Sequence, residues 1–293
     1  MAAGLPITAG FVRAEDGLRL HWRSVGEGPA IVCCNGVGVS TFFWRYVVHH
    51  FRDRYRVVLW DYPGHGRSER VASPQDTDVS IARLSRDLRS VLDAAEVEKA
   101  TLIGHSMGCQ VLFEAMRTYP ERANGLVPML GTAGLALETF FDWSGSPQMF
   151  RGLHRLIYGS RGAMNPLTRP LLLGPFSWEF ARRFALVDPD RAAPEDMKPY
   201  LEHLGELDLR LFIEMVLETG KHDAWDLLPS IDVPVLVVSA ERDKFTPQRL
   251  SKKMVDALPD ASMLVLKNGS HAAIIEQPDE INTALEAFLA RLN

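Results

Sequence analysis

Short apolar runs and amphipathic stretches alternate along the first 130 residues of the chain. "AIVCC" (30–34) and "RVVLW" (56–60) are apolar throughout or nearly so, the composition of strands covered on both faces. A helical pattern in "TFFWRYVVHHF" lies between them. Residues 79–95 place Ile81, Leu84, Leu88, Val91 and Leu92 on one face of a helix. "ATLIG" (100–104) predicts the next strand, and 107–118 the helix after it. Upstream, residues 11–25 read as two strands joined at "EDG", with Asp16-Gly17 as a hairpin turn. "GLVPML" (125–130) has the composition of a strand, against which stands Pro128, a residue that cannot donate to a ladder. The alternation then stops until "VPVLVVSA" (233–240), a helix near 247–258, the strand "SMLVLK" (262–267) and a final helix over 279–292.

This order predicts an α/β fold, a mostly parallel, doubly wound sheet of about eight strands. The core is expected over 1–130 and 231–293. The interruption, 131–230, is rich in aromatic and aliphatic residues, as in "FFDW", "FRGLHRLIYG" and "LRLFIEMVLETG", and has few strand signals. Prolines 147, 166, 170, 175 and 189 are expected to break it into short helices. It reads as a helical cap, or lid, inserted over the sheet.

Composition narrows the function classes. Of the 293 residues 46% are hydrophobic and 24% charged, the balance of a globular protein with a substantial core. The net charge of −5 is spread along the chain without a basic stripe, so a nucleic-acid partner is not expected. Cys33, Cys34 and Cys109 match neither a disulfide framework nor a zinc site, and a reducing, cytoplasmic setting is the default reading. The N-terminal "MAAGLPITAG" shows no signal-peptide pattern, and no run is long enough for a membrane span.

In an open parallel sheet, ligands bind beyond the carboxyl ends of the strands. Four reactive segments follow predicted strands there: Asn35–Gly38, Ser106, Asp243 and His271. Ser106 sits in "GHSMG" between Gly104 and Gly108, a strand-to-helix turn sharp enough to demand small neighbours. A serine hydroxyl needs a base, and His271 in "NGSHAAIIEQPDE" is the best candidate. His105 should point away from the serine, His65 should shape the loop "PGHGRS", and a helix should expose at least one of His49 and His50. Asp243 is placed to orient the histidine. Asp232 precedes the same strand, Asp226 belongs to the cap or linker, and Glu241 is the nearest rival. In "NGVGVS" (35–40), Gly36 and Gly38 allow close approach, and the backbone N–H groups of Val37 and Met107 are the expected oxyanion donors. No metal and no cofactor is called for.

With these residues placed, the chain resembles the α/β-hydrolase superfamily, specifically its cap-bearing serine esterases and related hydrolases. "GHSMG" is similar to that family's nucleophile elbow, "DYPGHGRS" to the turn after its fourth strand, and "ERDKFTP" and "GSHAAIIEQP" to its acid and histidine loops. The chain order Ser106, Asp243, His271 is the family's order. Two departures stand out: Asn35-Gly36 replaces a frequent His-Gly, and Cys109 stands where many relatives carry another glycine. A nucleophile position held by serine disfavours the relatives that attack with aspartate. The resemblance implies a hydrolase that cleaves a small carboxylic ester through an acyl-enzyme, with an apolar acyl or alkyl group suggested by the cap. The alternatives are a C–C bond hydrolase, a lactonase or thioesterase, a cofactor-free haloperoxidase-like enzyme, and, from another class, a non-catalytic ligand receptor. Whether the protein is a monomer or a homodimer is left open by the sequence.

Overall fold

The computed structural model describes residues 6–160, 162–174, 177–179, 187–188, 190–192 and 194–292. Eight strands form one sheet in the order β1-β2-β4-β3-β5-β6-β7-β8. β1 (Ile7–Arg13) and β2 (Arg19–Val25) make the expected hairpin, and β2 runs antiparallel to β4 (Arg56–Trp60). From β4 onward all neighbours are parallel: β3 (Ala30–Cys34), β5 (Ala100–His105), β6 (Ala123–Met129), β7 (Val235–Ala240) and β8 (Ala261–Leu266). Register aligns the carboxyl ends of the central strands, with Cys34 opposite Gly104 and His105 opposite Met129. The segments after β3, β5, β7 and β8 therefore emerge at one edge.

Strand alternation divides the core into two layers. Val32 and Cys34 pack with Leu84, Leu88 and Phe113 on one side of the sheet, whereas Ile31 and Cys33 pack with Phe51, Leu285 and Phe288 on the other. The adjacent cysteines are thus buried on opposite faces, and all three cysteines are free.

The helices of the two layers lie close to their predicted spans, at Ile81–Ala94, Met107–Thr118, Gln248–Ala257 and Pro278–Leu292. The pattern at 41–51 opens as a 3₁₀ turn, Thr41–Trp44, before helix Arg45–Phe51. β6 forms despite Pro128. Its neighbours Leu126 and Leu130 donate to Pro234 and Val238, so the N–H that proline lacks falls on the β7 side, where pairing is sparse.

Between β6 and β7 the described residues form helices Ser146–Gly159, Asn165–Leu172, Pro194–Glu206 and Leu209–Thr219, after short 3₁₀ turns. Proline acts differently here from the expected breaker. Pro147 and Pro166 sit in first turns, where a missing N–H costs nothing, and Pro170 lies inside its helix. Pro175 and Pro189 lie outside the described residues. Among the described residues no helix is long and apolar enough to cross a membrane.

Candidate functional site

The turn after β5 is built around backbone contact. Ser106 has φ 55° and ψ −118°, a conformation that costs a non-glycine residue about 1–3 kcal/mol. Helix Met107–Thr118 starts immediately and lies hard against the strands. A Cβ on Gly104 would come within 2.6 Å of the Gly108 carbonyl carbon, and one on Gly108 would collide with the Cys34 carbonyl oxygen. Cys109, the departure from the more frequent glycine, is fully buried and donates to the Gly104 and Met129 carbonyls.

Ser106, His271 and Asp243 meet in one hydrogen-bonded chain. His271 Nε2 is 3.0 Å from Ser106 Oγ, and Nδ1 is 2.9 Å from Asp243 Oδ2. The Asp243 carboxylate is fully covered, whereas the His271 side chain keeps 18% of its surface exposed. Asp243 also accepts from the amides of Phe245 and Thr246 and from Thr246 Oγ1. Burial alone would raise this carboxyl, but the neighbouring His271 and the Thr246 donors hold it below the ordinary carboxylate range. An ionised Asp243 fixes a proton on His271 Nδ1 and leaves Nε2 free to accept from the serine. The other carboxylates lie elsewhere. Asp232 and Asp226 are exposed, Asp226 paired with Arg117, and exposed Glu241 accepts from the Asn268 amide.

The loop after β3 is held from below. Asn35 is fully buried; its side chain donates to the Trp60 carbonyl and accepts from Trp44 Nε1, and its own carbonyl accepts from Tyr62. Gly38 has φ +71° and donates to His65 Nε2 at 3.3 Å. His65 Nδ1 faces the Pro63 carbonyl at 3.0 Å, so that nitrogen carries the proton. Burial lowers the His65 pKa to about 4 and keeps the ring neutral and able to accept. Gly36 lies against Ser106, where a Cβ would stand 3.1 Å from the serine Cβ. Among the described residues, the Val37 and Met107 amides donate to no protein group.

His105 is buried against Phe43 and approaches the His271 carbonyl with Nε2 at 3.1 Å. Burial, then the neighbouring His271, lowers its pKa to about 3. It is a packed, neutral ring that also ties down the histidine loop. His49 and His50 are both exposed.

Three contributors carried no signal in the hydrophobic pattern. Asp61, at the end of β4, is buried and accepts from Ser40 Oγ and the amides of Thr41 and Arg67, bracing both loops. Glu276 is buried and accepts from the amide and hydroxyl of Ser270 and from the Asp188 amide, tying the residue before His271 to the β6–β7 segment. Phe245 lays its ring 4.8 Å from that of His271 and meets Phe140 and Phe141 at 5.2 Å each. Among the described residues no cluster of three or more His, Cys, Asp or Glu is disposed to hold a metal ion.

Residues 31–284 match the family model described as the alpha/beta hydrolase family. The chain belongs to this family. A relative in Azorhizobium caulinodans, RutD, bears the name of a carbamate hydrolase and is 29% identical over 274 residues, 94% of this chain and 96% of its own. Among solved structures, a hydrolase from Pseudomonas aeruginosa PA01 superposes with a TM-score of 0.77 at 22% identity, over 99% of both chains. A thermophilic esterase from Thermogutta terrifontis gives 0.78 at 19% identity, over 97% of this chain and 99% of that one. At those identities the two structures speak to the fold alone. Family and relatives together support a hydrolase.

Proposed function

We propose that this hydrolase cleaves a carboxylic ester through an acyl-enzyme, with Ser106 as nucleophile, His271 as general base and Asp243 as its orienting carboxylate. The observation that carries the reading is the hydrogen-bonded chain Ser106 Oγ–His271–Asp243 on the strained turn after β5. Ser106 Oγ attacks the carbonyl carbon as its proton passes to His271 Nε2. The oxygen that gains the negative charge lies between the Val37 and Met107 amides. Losing one such donor typically costs about 3–4 kcal/mol of transition-state stabilisation. Collapse of the tetrahedral species breaks the ester C–O bond, and the alcohol leaves with the proton from His271. Water then attacks the acyl-enzyme by the same route in reverse.

In this reading residues 1–130 and 231–293 form the hydrolytic core and 131–230 the cap. Phe140, Phe141 and Phe150 of the cap, joined through Phe245 to His271, favour an apolar acyl or alkyl group. A second reading, hydrolysis of a carbamate, is favoured by the name that the Azorhizobium relative bears. The same nucleophile would attack the carbamate carbonyl, with an amine or alcohol leaving.

A fluorophosphonate should add one mass to the full-length protein, at Ser106. Ser106→Ala should lower turnover of a p-nitrophenyl ester by several decades, about 10⁶-fold in kcat in a comparable triad. Labelling at another residue, or a loss under about tenfold, overturns the assignment. Paired rates on matched alkyl esters and carbamates separate the two substrates.

A further inference from the structure

The β6–β7 segment carries an apolar, cationic face that no described residue covers. Of the nine large hydrophobic residues most exposed among the described residues, seven fall between 141 and 173. Leu171, Leu167 and Leu156 are 74%, 66% and 60% exposed, and Trp143 51%. The sequence there is equally skewed: from Trp143 to Trp178 there are four arginines and no Asp or Glu, in a chain of net charge −5.

Helix Ser146–Gly159 shows how the two features share a surface. Its inner side holds buried Ile157 and places His154 and Tyr158 on Glu214 of helix Leu209–Thr219. At 100° per residue, the exposed arc runs from Arg151 and Arg155 through Gly152 to Leu156 and Met149, all of them exposed. Among the described residues neither Arg151 nor Arg155 has an ion-pair partner. Leu156 lies three residues before the end of this helix, and Leu167 two residues after the start of helix Asn165–Leu172. Leu167 and Leu171 then repeat at i, i+4, with exposed Arg169 between them, reaching Glu206 at 3.4 Å.

We propose that this face docks on an anionic lipid surface. Exposed leucines and a tryptophan beside unpaired arginines suit the boundary between headgroups and acyl chains, where the apolar groups enter and the cations meet negative headgroups. A second copy of the chain fits less well, because a two-fold contact through one patch would set like-charged arginines against each other. A nucleic acid would satisfy the arginines but leave the leucines in water. Gly38 and Gly64 lie under Leu204, Phe212 and Leu211 on helices Pro194–Glu206 and Leu209–Thr219, which pack against the two helices that carry the face.

Vesicle flotation of the full-length protein tests this without turnover, so its outcome is independent of whether Ser106 is the nucleophile. The protein should float with phosphatidylcholine vesicles doped with phosphatidylglycerol at low salt, less at high salt, and not with phosphatidylcholine alone. Arg151→Glu with Arg155→Glu should cut binding about a hundredfold. Leu156→Ser with Leu171→Ser should cut it at least about tenfold. Both pairs should melt as the unchanged protein does and keep its rate on a soluble ester. Absence of flotation, equal flotation with neutral vesicles, or a solution dimer that the leucine pair dissociates overturns the proposal.

Discussion

At the scale of single residues, burial keeps the packed histidines neutral, whereas at Asp243 the partners overrule it. His65 supports the loop after β3 only as a neutral acceptor, and its burial guarantees that state across the neutral range. It touches no reacting atom; it positions Gly38, and through it the neighbouring Val37 amide. His65→Ala should therefore lower kcat by about ten- to a hundredfold, the scale of an ångström-level misplacement. KM should move much less. A fall in kcat/KM carried by KM alone would show that the ring shapes binding instead. Glu276 acts comparably on the histidine loop. Glu276→Ala would remove the carboxylate to which the Ser270 and Asp188 amides donate and should cost about 1–3 kcal/mol in urea denaturation. An unchanged midpoint would mean that water replaces the carboxylate without loss.

At the scale of elements, the turn after β5 depends on how closely helix Met107–Thr118 approaches β3. Gly108→Ala sets a methyl group against the Cys34 carbonyl, a backbone atom with no rotamer to yield. The helix must withdraw, carrying the Met107 amide with it. Stability should fall by about 1–3 kcal/mol, the usual cost of overpacking, and ester turnover should fall further than stability explains. A variant of wild-type stability and rate would sink the account of this elbow. β6 illustrates the opposite tolerance. Pro128 sits in a central strand because its absent donor faces the side where pairing is sparse, a fact of register that no local propensity contains.

For the whole molecule, acid is the weak direction. Burial lowers the pKa of His65 to about 4 and of His105 to about 3, and also lowers those of His203 and His222. Each binds its proton more readily when unfolded, near the ordinary value of 6.5, so the unfolded chain gains protons first as pH falls. Stability is complete above about pH 6.5 and declines below it, until the folded-state values are reached. Each fully neutral buried histidine contributes a slope of up to about 1.4 kcal/mol per pH unit. Urea midpoints should hold from pH 7.5 to about 6.5 and then drop towards pH 5, and the drop should be smaller in His65→Gln. A flat midpoint over that range would contradict burial of these rings in their neutral form.

The linear chain by itself determined the strand–helix alternation, the inward face of helix Ile81–Ala94, and the serine, carboxylate and histidine that follow strands. These are legible because hydrophobic period and turn chemistry are local, and because parallel strands deliver their carboxyl ends to one edge. "GHSMG" could be read as an elbow for the same reason: Gly104 and Gly108 are neighbours in the chain as well as in space. Only the tertiary structure decided that Cys33 and Cys34 part to opposite layers, that Pro128 is harmless, and that Asp61, Glu276 and Phe245 brace the site. Those roles depend on partners distant in the chain, 88 residues away in the case of Glu276 and the Asp188 amide, and no short-range pattern encodes such a meeting. The exposed leucines of the β6–β7 segment belong to the same class, since apolar helix positions look alike in sequence until packing shows which side is left uncovered.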